Sequence, residues 1–449
     1  MMQIFDNLKG TYDYIGYSQL VREHVKKTLQ GIFVKYGFAP VETPILCKKD
    51  LLTSKYSDGA DILKEMYMLS DQGKRELGLR YDLTITFSKL ISSNKDILLP
   101  YKRYEIGKVF RDGPVKLGRN REFTQCDVDC VGTKSVMAEA EYMSMTEECY
   151  REIGLDIEIL YNNRKIMSGI IKSVLGELDT DTLRSVIMII DKFEKLTENE
   201  LIEEFRSIGI LENKFYELKD MLNSNYKTLK GKLSKYSIND ELEEGFKEID
   251  ELNQYLENSE AIKKMTFAPY LARGIDIYTG IVWEVVLRER KVCDTYFPLS
   301  IGGGGRYDRI ITSFIADGKE YPAVGMSFGL DVIYEILMIK NKGLRKSNVN
   351  LFVIPLGTNI IAFKFAEKLR KYGVSVDVEK NPIKLKKSMT YANKMNIPFT
   401  VVIGENESES NRIILRDMNK SINYDFELNN YKEIAEFIFN EINEEQSEE

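Results

Sequence analysis

The stretch YKRYEIGKVFRDGPVKLGRNREFTQCDVDCVG, residues 101–132, decides the fold. Its two halves alternate in side-chain character as strands do, and Asp112-Gly113-Pro114 with Lys116-Leu117-Gly118-Arg119-Asn120 between them is loop chemistry. The spacing predicts a long-looped antiparallel hairpin. Successive side chains of a strand point to opposite faces, so Arg121, Phe123, Gln125, Asp127 and Asp129 share one face of the second strand. All but Phe123 are polar. Arg111, Arg119 and Arg121 can converge around the loop, where planar guanidinium groups suit phosphate oxygens. A solvated edge hairpin with scattered ion pairs fits the same spacing equally well.

On the N-terminal side, Leu20, Val21, Val25, Leu29, Ile32 and Phe33 recur at helical spacing between about Ser18 and Tyr36. Gly37 ends this helix, and Phe38 to Ile45 reads as an extended segment punctuated by Pro40 and Pro44. Leu79-Arg80-Tyr81-Asp82-Leu83-Thr84 reads as a strand with Asp82 and Thr84 on one face, suited to an ammonium group, or as an ordinary edge strand. On the C-terminal side, residues 163–264 turn helical and charged, which predicts a helical insertion. Strand signals return at Ile281 to Leu287, at Ser300 to Asp308 and at Ala323 to Gly329. Before them, Leu271 to Gly280 holds Arg273 and Tyr278 in a glycine-bounded turn. The four glycines at 302–305 let backbone pass close to a bound group or bend the strand, and no Gly-Lys-Ser/Thr follows to make a P-loop. Beyond the basic linker at 340–347, strands at Leu351 to Leu356, Val374 to Val378, Phe399 to Ile403 and Arg412 to Leu415 alternate with helices from near Asn359, Lys384 and Tyr431. That order predicts a small α/β domain with a parallel or mixed sheet.

The whole chain narrows the chemistry. Its 449 residues, 43% of them hydrophobic, suffice for two or three domains. No apolar run reaches membrane-spanning length, and the start lacks a basic, then apolar leader, so the expectation is a cytoplasmic protein without membrane contact. A formal charge of −7 excludes bulk electrostatic attraction to nucleic acid, leaving only local basic patches. The five cysteines are scattered, and Cys126-x-x-x-Cys130 has no second pair to complete a metal site, so no resident metal is expected. The single histidine, His24, reads as a surface or boundary residue within the first amphipathic helix, which removes a Ser-His-Asp triad or Cys-His pair unless His24 itself is the base.

These pieces, in this order from about Gly10 to the last helix, resemble the histidyl-tRNA synthetase family. Glu42-Thr43-Pro44 looks like class II motif 1 and Arg103 to Val131 like motif 2. Arg273 to Gly280 and Ile301 to Asp308 are similar to the two signatures specific to histidine. The resemblance implies an α+β class II catalytic domain over 1–340, with a six-stranded antiparallel sheet flanked by helices and an insertion at about 163–264. It also implies an α/β anticodon-binding domain over 348–449 and a homodimer. Activation of histidine by ATP with Mg²⁺, and transfer to tRNA(His), would follow. Carried over by motif, Arg111 would hold the ATP α-phosphate, Arg119 and Arg121 the distal phosphates, and Asp82 and Thr84 the amino group. Gln125, Asp129 and Tyr278 would shape the histidine pocket, with Asp129 and Tyr278 on the imidazole nitrogens, and Arg273 would be the catalytic arginine. The basic segment Ile383 to Ser388 would meet the tRNA backbone or form a solvated helix face.

The chain departs from the family where Ile277 stands for Tyr, Gly113 and Asp129 for Glu, and Val332 for the arginine that stacks on adenine in motif 3. Losing that guanidinium removes about 1 to 2 kcal/mol of desolvated stacking. It also keeps open a non-catalytic paralogue resembling the regulatory subunit of ATP phosphoribosyltransferase, and a relative charging another amino acid or acceptor.

Overall fold

The computed structural model describes residues 5–54, 64–94, 96–236, 240–272, 277–340, 346–381 and 384–448, with side chains to residue 442. They divide into two units, residues 1–12 with 24–340 and residues 13–23 with 341–449.

The first unit is built on eight strands: β1 Ala39–Pro40, β2 Tyr101–Phe110, β3 Glu122–Val131, β4 Ile157–Asn163, β5 Met265–Phe267, β6 Ile281–Leu287, β7 Gly302–Arg306 and β8 Ala323–Gly329. Their spatial order is β1-β2-β3-β8-β7-β6-β4-β5. The six inner strands pair antiparallel, as expected. The expectation missed the two short edge strands, β1 and β5, which pair in parallel with β2 and β4. Strands of two and three residues carry too little alternation to be read from sequence. The 101–132 hairpin is therefore interior to the sheet and not a solvated edge.

One face of the sheet packs on helices α1 Tyr17–Lys35 and α3 Met137–Ile153, with α2 Thr84–Ser93 lying between them in sequence. Phe33 of α1 meets Tyr104 and Phe328 at ring distances of 5.7 and 5.4 Å. From α3, the Tyr150 hydroxyl donates to the Ile301 carbonyl at 2.7 Å, and Glu139 takes a bidentate pair from buried Arg306. Period-two alternation sends Cys126, Val128 and Cys130 to this apolar side and leaves Gln125, Asp127 and Asp129 for the other. The thiols are free, and all but Cys293 are buried.

Six helices, from Arg164–Leu175 to Asp240–Tyr255, fill the insertion among the described residues. Asn163, Asp179, Thr197 and Asn225 each cap one of these helices with a side-chain oxygen. In the second unit, strands β9 Leu351–Pro355, β10 Val376–Val378, β11 Phe399–Ile403, β12 Arg412–Asp417 and β13 Asn423–Glu427 lie in the order β10-β9-β11-β12-β13. The parallel pairs β9–β10 and β9–β11 join the antiparallel β11–β12–β13 in one mixed sheet. β13 was not foreseen: it is an edge strand of mostly polar residues, with Phe426 as its single buried side chain.

The glycine tract forms β7. A Cβ on Gly304 would lie 2.1 Å from the Gly325 carbonyl oxygen and 2.8 Å from Trp283 Cζ2, so neighbouring backbone fills the place of a side chain. Gly304→Ala should destabilise the protein by about 1 to 3 kcal/mol through overpacking, read as a lower midpoint in urea.

Candidate active site

The polar face of the sheet floors a cavity of about 170 Å³, lined by residues of the α2 entrance, of β2's C-terminal end, of β3, β7 and β8, and of the segment 277–278. Asp82, Thr84, Arg111, Gln125, Asp129 and Tyr278 all line it, together with Asp127, Tyr307 and Ser327. Strand register explains the floor. Asp129 and Asp127 of β3 face Arg103 and Glu105 of β2 on one side, and Gly325 and Ser327 of β8 on the other. A Cβ on Gly325 would fall 2.0 Å from Asp129 Oδ1, so the glycine makes room for that carboxylate.

Beneath the cavity runs a buried charge network. Arg103, fully buried, pairs with Asp129 Oδ2 at 2.6 Å and approaches Glu105 at 3.7 Å. Glu105 pairs in turn with Arg80 at 2.8 Å and accepts from the Thr43 amide at 2.9 Å. A Cβ on Gly107 would lie 2.3 Å from Arg80 Nη2, so that glycine admits the Arg80 side chain. Burial works against the charge on Arg103, but Asp129, Asp127 and Glu105 outweigh it and raise its pKa. The Tyr307 hydroxyl donates to Asp129 Oδ1. Burial and Asp129 push that phenol far up, so it keeps its proton. Burial also pushes the Asp127 carboxyl up to about 7, against the pull of Arg103 and with a further push from Asp129.

Asp82 and Thr84 do not lie on a strand. The strand Glu76–Leu79 ends before them, and Thr84 opens α2. Asp82 Oδ1 accepts from the Ile85 amide at 3.1 Å, a helix-start contact that turns the chain and still leaves both residues on the cavity wall. Arg111 donates to the Tyr81 carbonyl at 3.2 Å and stands 5.1 Å over the Phe123 ring. Arg119 and Arg121 are not among the cavity's lining residues: Arg119 pairs with Glu65, and Arg121 with Asp112 at 3.2 Å. Arg273 lies outside the described residues, as do the linker residues 341–345 and Ile383. Val332 sits under the hairpin tip, 3.2 Å from where a Gly118 Cβ would be, while the Gly118 amide donates to Glu335 at 2.8 Å. An apolar contact thus occupies the position expected for a stacking arginine.

A family model described as "Histidyl-tRNA synthetase" matches residues 13–333, and one described as "Anticodon binding domain" matches residues 350–436. The chain belongs to the histidyl-tRNA synthetase family. "Histidine--tRNA ligase 1" of Bacillus cereus is 44% identical over 413 residues, covering 92% of this chain and 95% of that protein. "Histidine--tRNA ligase" of Clostridium acetobutylicum is 32% identical, covering 92% and 95%. Histidyl-tRNA synthetase from Nostoc sp. PCC 7120 superposes with a TM-score of 0.84 at 24% identity, over 97% of this chain and 99% of that one. An ATP phosphoribosyltransferase regulatory subunit/histidyl-tRNA synthetase from Bacillus halodurans C gives 0.72 at 18%, over 89% and 98%. Both structures show the same fold.

Within this member of the family, sequence reasoning passed over Asp127, Tyr307, Ser327 and Arg103 as site residues. Asp127 carried the same period-two signal as its neighbours, and Tyr307 stood in the glycine-rich signature. Ser327 and Arg103 gave no signal, since their roles come from pairing across strands.

Two outcomes follow from the network. Arg103→Met leaves Asp129 buried without its cation and should cost about 3 to 5 kcal/mol in urea unfolding, and a loss below about 1 kcal/mol would contradict the pairing. Asp127 has a folded pKa above its ordinary value of 3.8, so the stability it contributes is fully present below that value and lost as pH rises through about 7. The Tm of Asp127→Asn relative to the parent should therefore rise between about pH 5 and about pH 8, and a constant difference would refute the shift.

Proposed function

We propose that this chain is a histidine–tRNA ligase, activating histidine with ATP to histidyl-adenylate and transferring it to the 3′ end of tRNA(His). The observation that carries the reading is the cavity shared by Asp82, Thr84, Arg111, Gln125, Asp129 and Tyr278, in a chain whose relatives at 32 to 44% identity bear that ligase's name. Residues 1–340 would hold the catalytic domain and 348–449 the anticodon-binding domain, where exposed Lys384, Lys386 and Lys387 offer local positive charge at a helix start. A cytoplasmic homodimer is part of the proposal. Among the described residues no helix is long and apolar enough to cross a membrane.

In this reading Asp82 and Thr84 receive the ammonium group of histidine, beside Gln125, while Asp129 and Tyr278 receive the ring nitrogens. Arg111 holds the α-phosphate, and Arg119 and Arg121 lie outward for the distal phosphates. An oxygen of the histidine carboxylate attacks the α-phosphorus, the new P–O bond forms, and the bond to the β-phosphate oxygen breaks to release pyrophosphate. Arg111 and Arg273 stabilise charge as it builds on the phosphorus oxygens. Mg²⁺ would enter with ATP as the counter-ion of its phosphates. When bound, that ion neutralises phosphate charge. A ribose hydroxyl of the tRNA terminus then attacks the adenylate carbonyl and displaces AMP.

Pyrophosphate exchange into ATP tests this directly. It should require histidine and no other amino acid, and Arg111→Ala and Arg273→Ala should each lower kcat by about 100-fold or more. Saturable histidine binding without exchange would instead indicate the regulatory paralogue.

A further inference from the structure

Asp127 is a carboxylate with no assignment in the reaction as described. It lies between Gln125 and Asp129 on the cavity face of β3, and it is 4% exposed. Its Oδ1 has no hydrogen-bond partner among the described residues. Every element packed around it brings a polar or charged group: Arg103 and Glu105 from β2, Asp129 from β3 itself, Ser327 from β8, Asp82 from the α2 entrance, and Tyr307 and Tyr278 beyond them. Most of these are already committed. Arg80 answers Glu105, Arg103 and Tyr307 answer Asp129, and Asp82 caps the turn into α2. The Ser327 hydroxyl accepts from Gln125 at 3.1 Å and itself donates to the Asp127 carboxyl. Asp127 Oδ1, a buried oxygen of a cavity-lining residue, thus remains open to a ligand donor. Leaving such an atom unpaired is costly, and a bound N–H recovers that cost.

We propose that Asp127 is a second carboxylate of the side-chain pocket and takes the ring N–H otherwise assigned to Tyr278, so that Asp127 and Asp129 together receive the ring as imidazolium while Tyr278 lines the pocket beside it. The inference rests on the histidine reading above. A neutral imidazole has one N–H donor and one acceptor, whereas the imidazolium has two donors, which matches two carboxylates. The proton balances within the site. Asp127, pushed up to about 7, holds a proton near neutrality and passes it to an imidazole whose free value is about 6.5. The products are a carboxylate and an imidazolium in contact, with no change in net charge.

The experiment compares parent and Asp127→Asn in pyrophosphate exchange with histidine and with 1,2,4-triazol-3-ylalanine, whose ring is not protonated near neutrality. The variant should raise KM for histidine about tenfold or more, and the preference for histidine over the triazole should fall by a similar factor. KM for ATP reports whether the rest of the site is intact. A second measurement needs no variant: calorimetry of histidine binding to the parent in buffers of different ionisation heat. It should show proton release at about pH 6 and proton uptake at about pH 8, because the complex retains one shared proton. Unchanged histidine KM and unchanged preference, or proton release at both pH values, would overturn the proposal. Absence of histidine-dependent exchange in the parent would instead overturn the ligase reading, so the two failures are told apart.

Discussion

The ion pair between Arg103 and Asp129, shut between two neighbouring strands at 2.6 Å, is the contact on which the cavity depends. A guanidinium taken fully out of water is costly, and only close carboxylates repay the cost. Asp129 supplies the nearest, and Glu105 links the same group onward to Arg80 and Thr43. Segments far apart in sequence, at Thr43, Arg80, Arg103, Asp129 and Tyr307, are thereby held in one register. Such a network adds little stability beyond what apolar residues of the same size would give. Its effect is positional: it fixes where the carboxylates of β3 stand and which of their oxygens remain for a ligand.

Space for a ligand comes from what is missing on the neighbouring strands. Gly303 and Gly325 line the cavity where longer side chains would fill it, and Gly325 lets the Asp129 carboxylate lean across β8. On the opposite face Gly302 and Gly304 bring Tyr150 and Trp283 close to the strand backbone, so the same tract serves packing below and access above. The glycine run is neither a phosphate loop nor a simple bend. It is a strand whose two faces both need the absence of a Cβ.

Much of this was legible in residues 101–132, because a two-residue period needs no knowledge of partners: it put Gln125, Asp127 and Asp129 on one face directly. The helical character of residues 163–264 was equally readable, since its periodicity is local. The Leu79 to Thr84 segment was misread as strand. Its alternation is real, but the contact of Asp82 with the Ile85 amide and the burial of Arg80 turn the chain into α2. β13 and the edge strands escaped notice because their pairing comes from neighbours and not from their own pattern.

The sequence by itself determined the order of elements, the polar face of the hairpin, the insertion and the mixed sheet of the second unit, all of them consequences of periodicity and local turn chemistry. It also carried the motifs that assign the family. Tertiary structure alone decided that Asp127 sits buried among Arg103, Glu105 and Ser327, that Arg119 and Arg121 pair with Glu65 and Asp112 outside the cavity lining, and that Val332 supports the hairpin tip. Those facts depend on cross-strand register and on burial. Both are set by contacts between residues up to about two hundred positions apart, as between Gln125 and Ser327, and no local pattern encodes them.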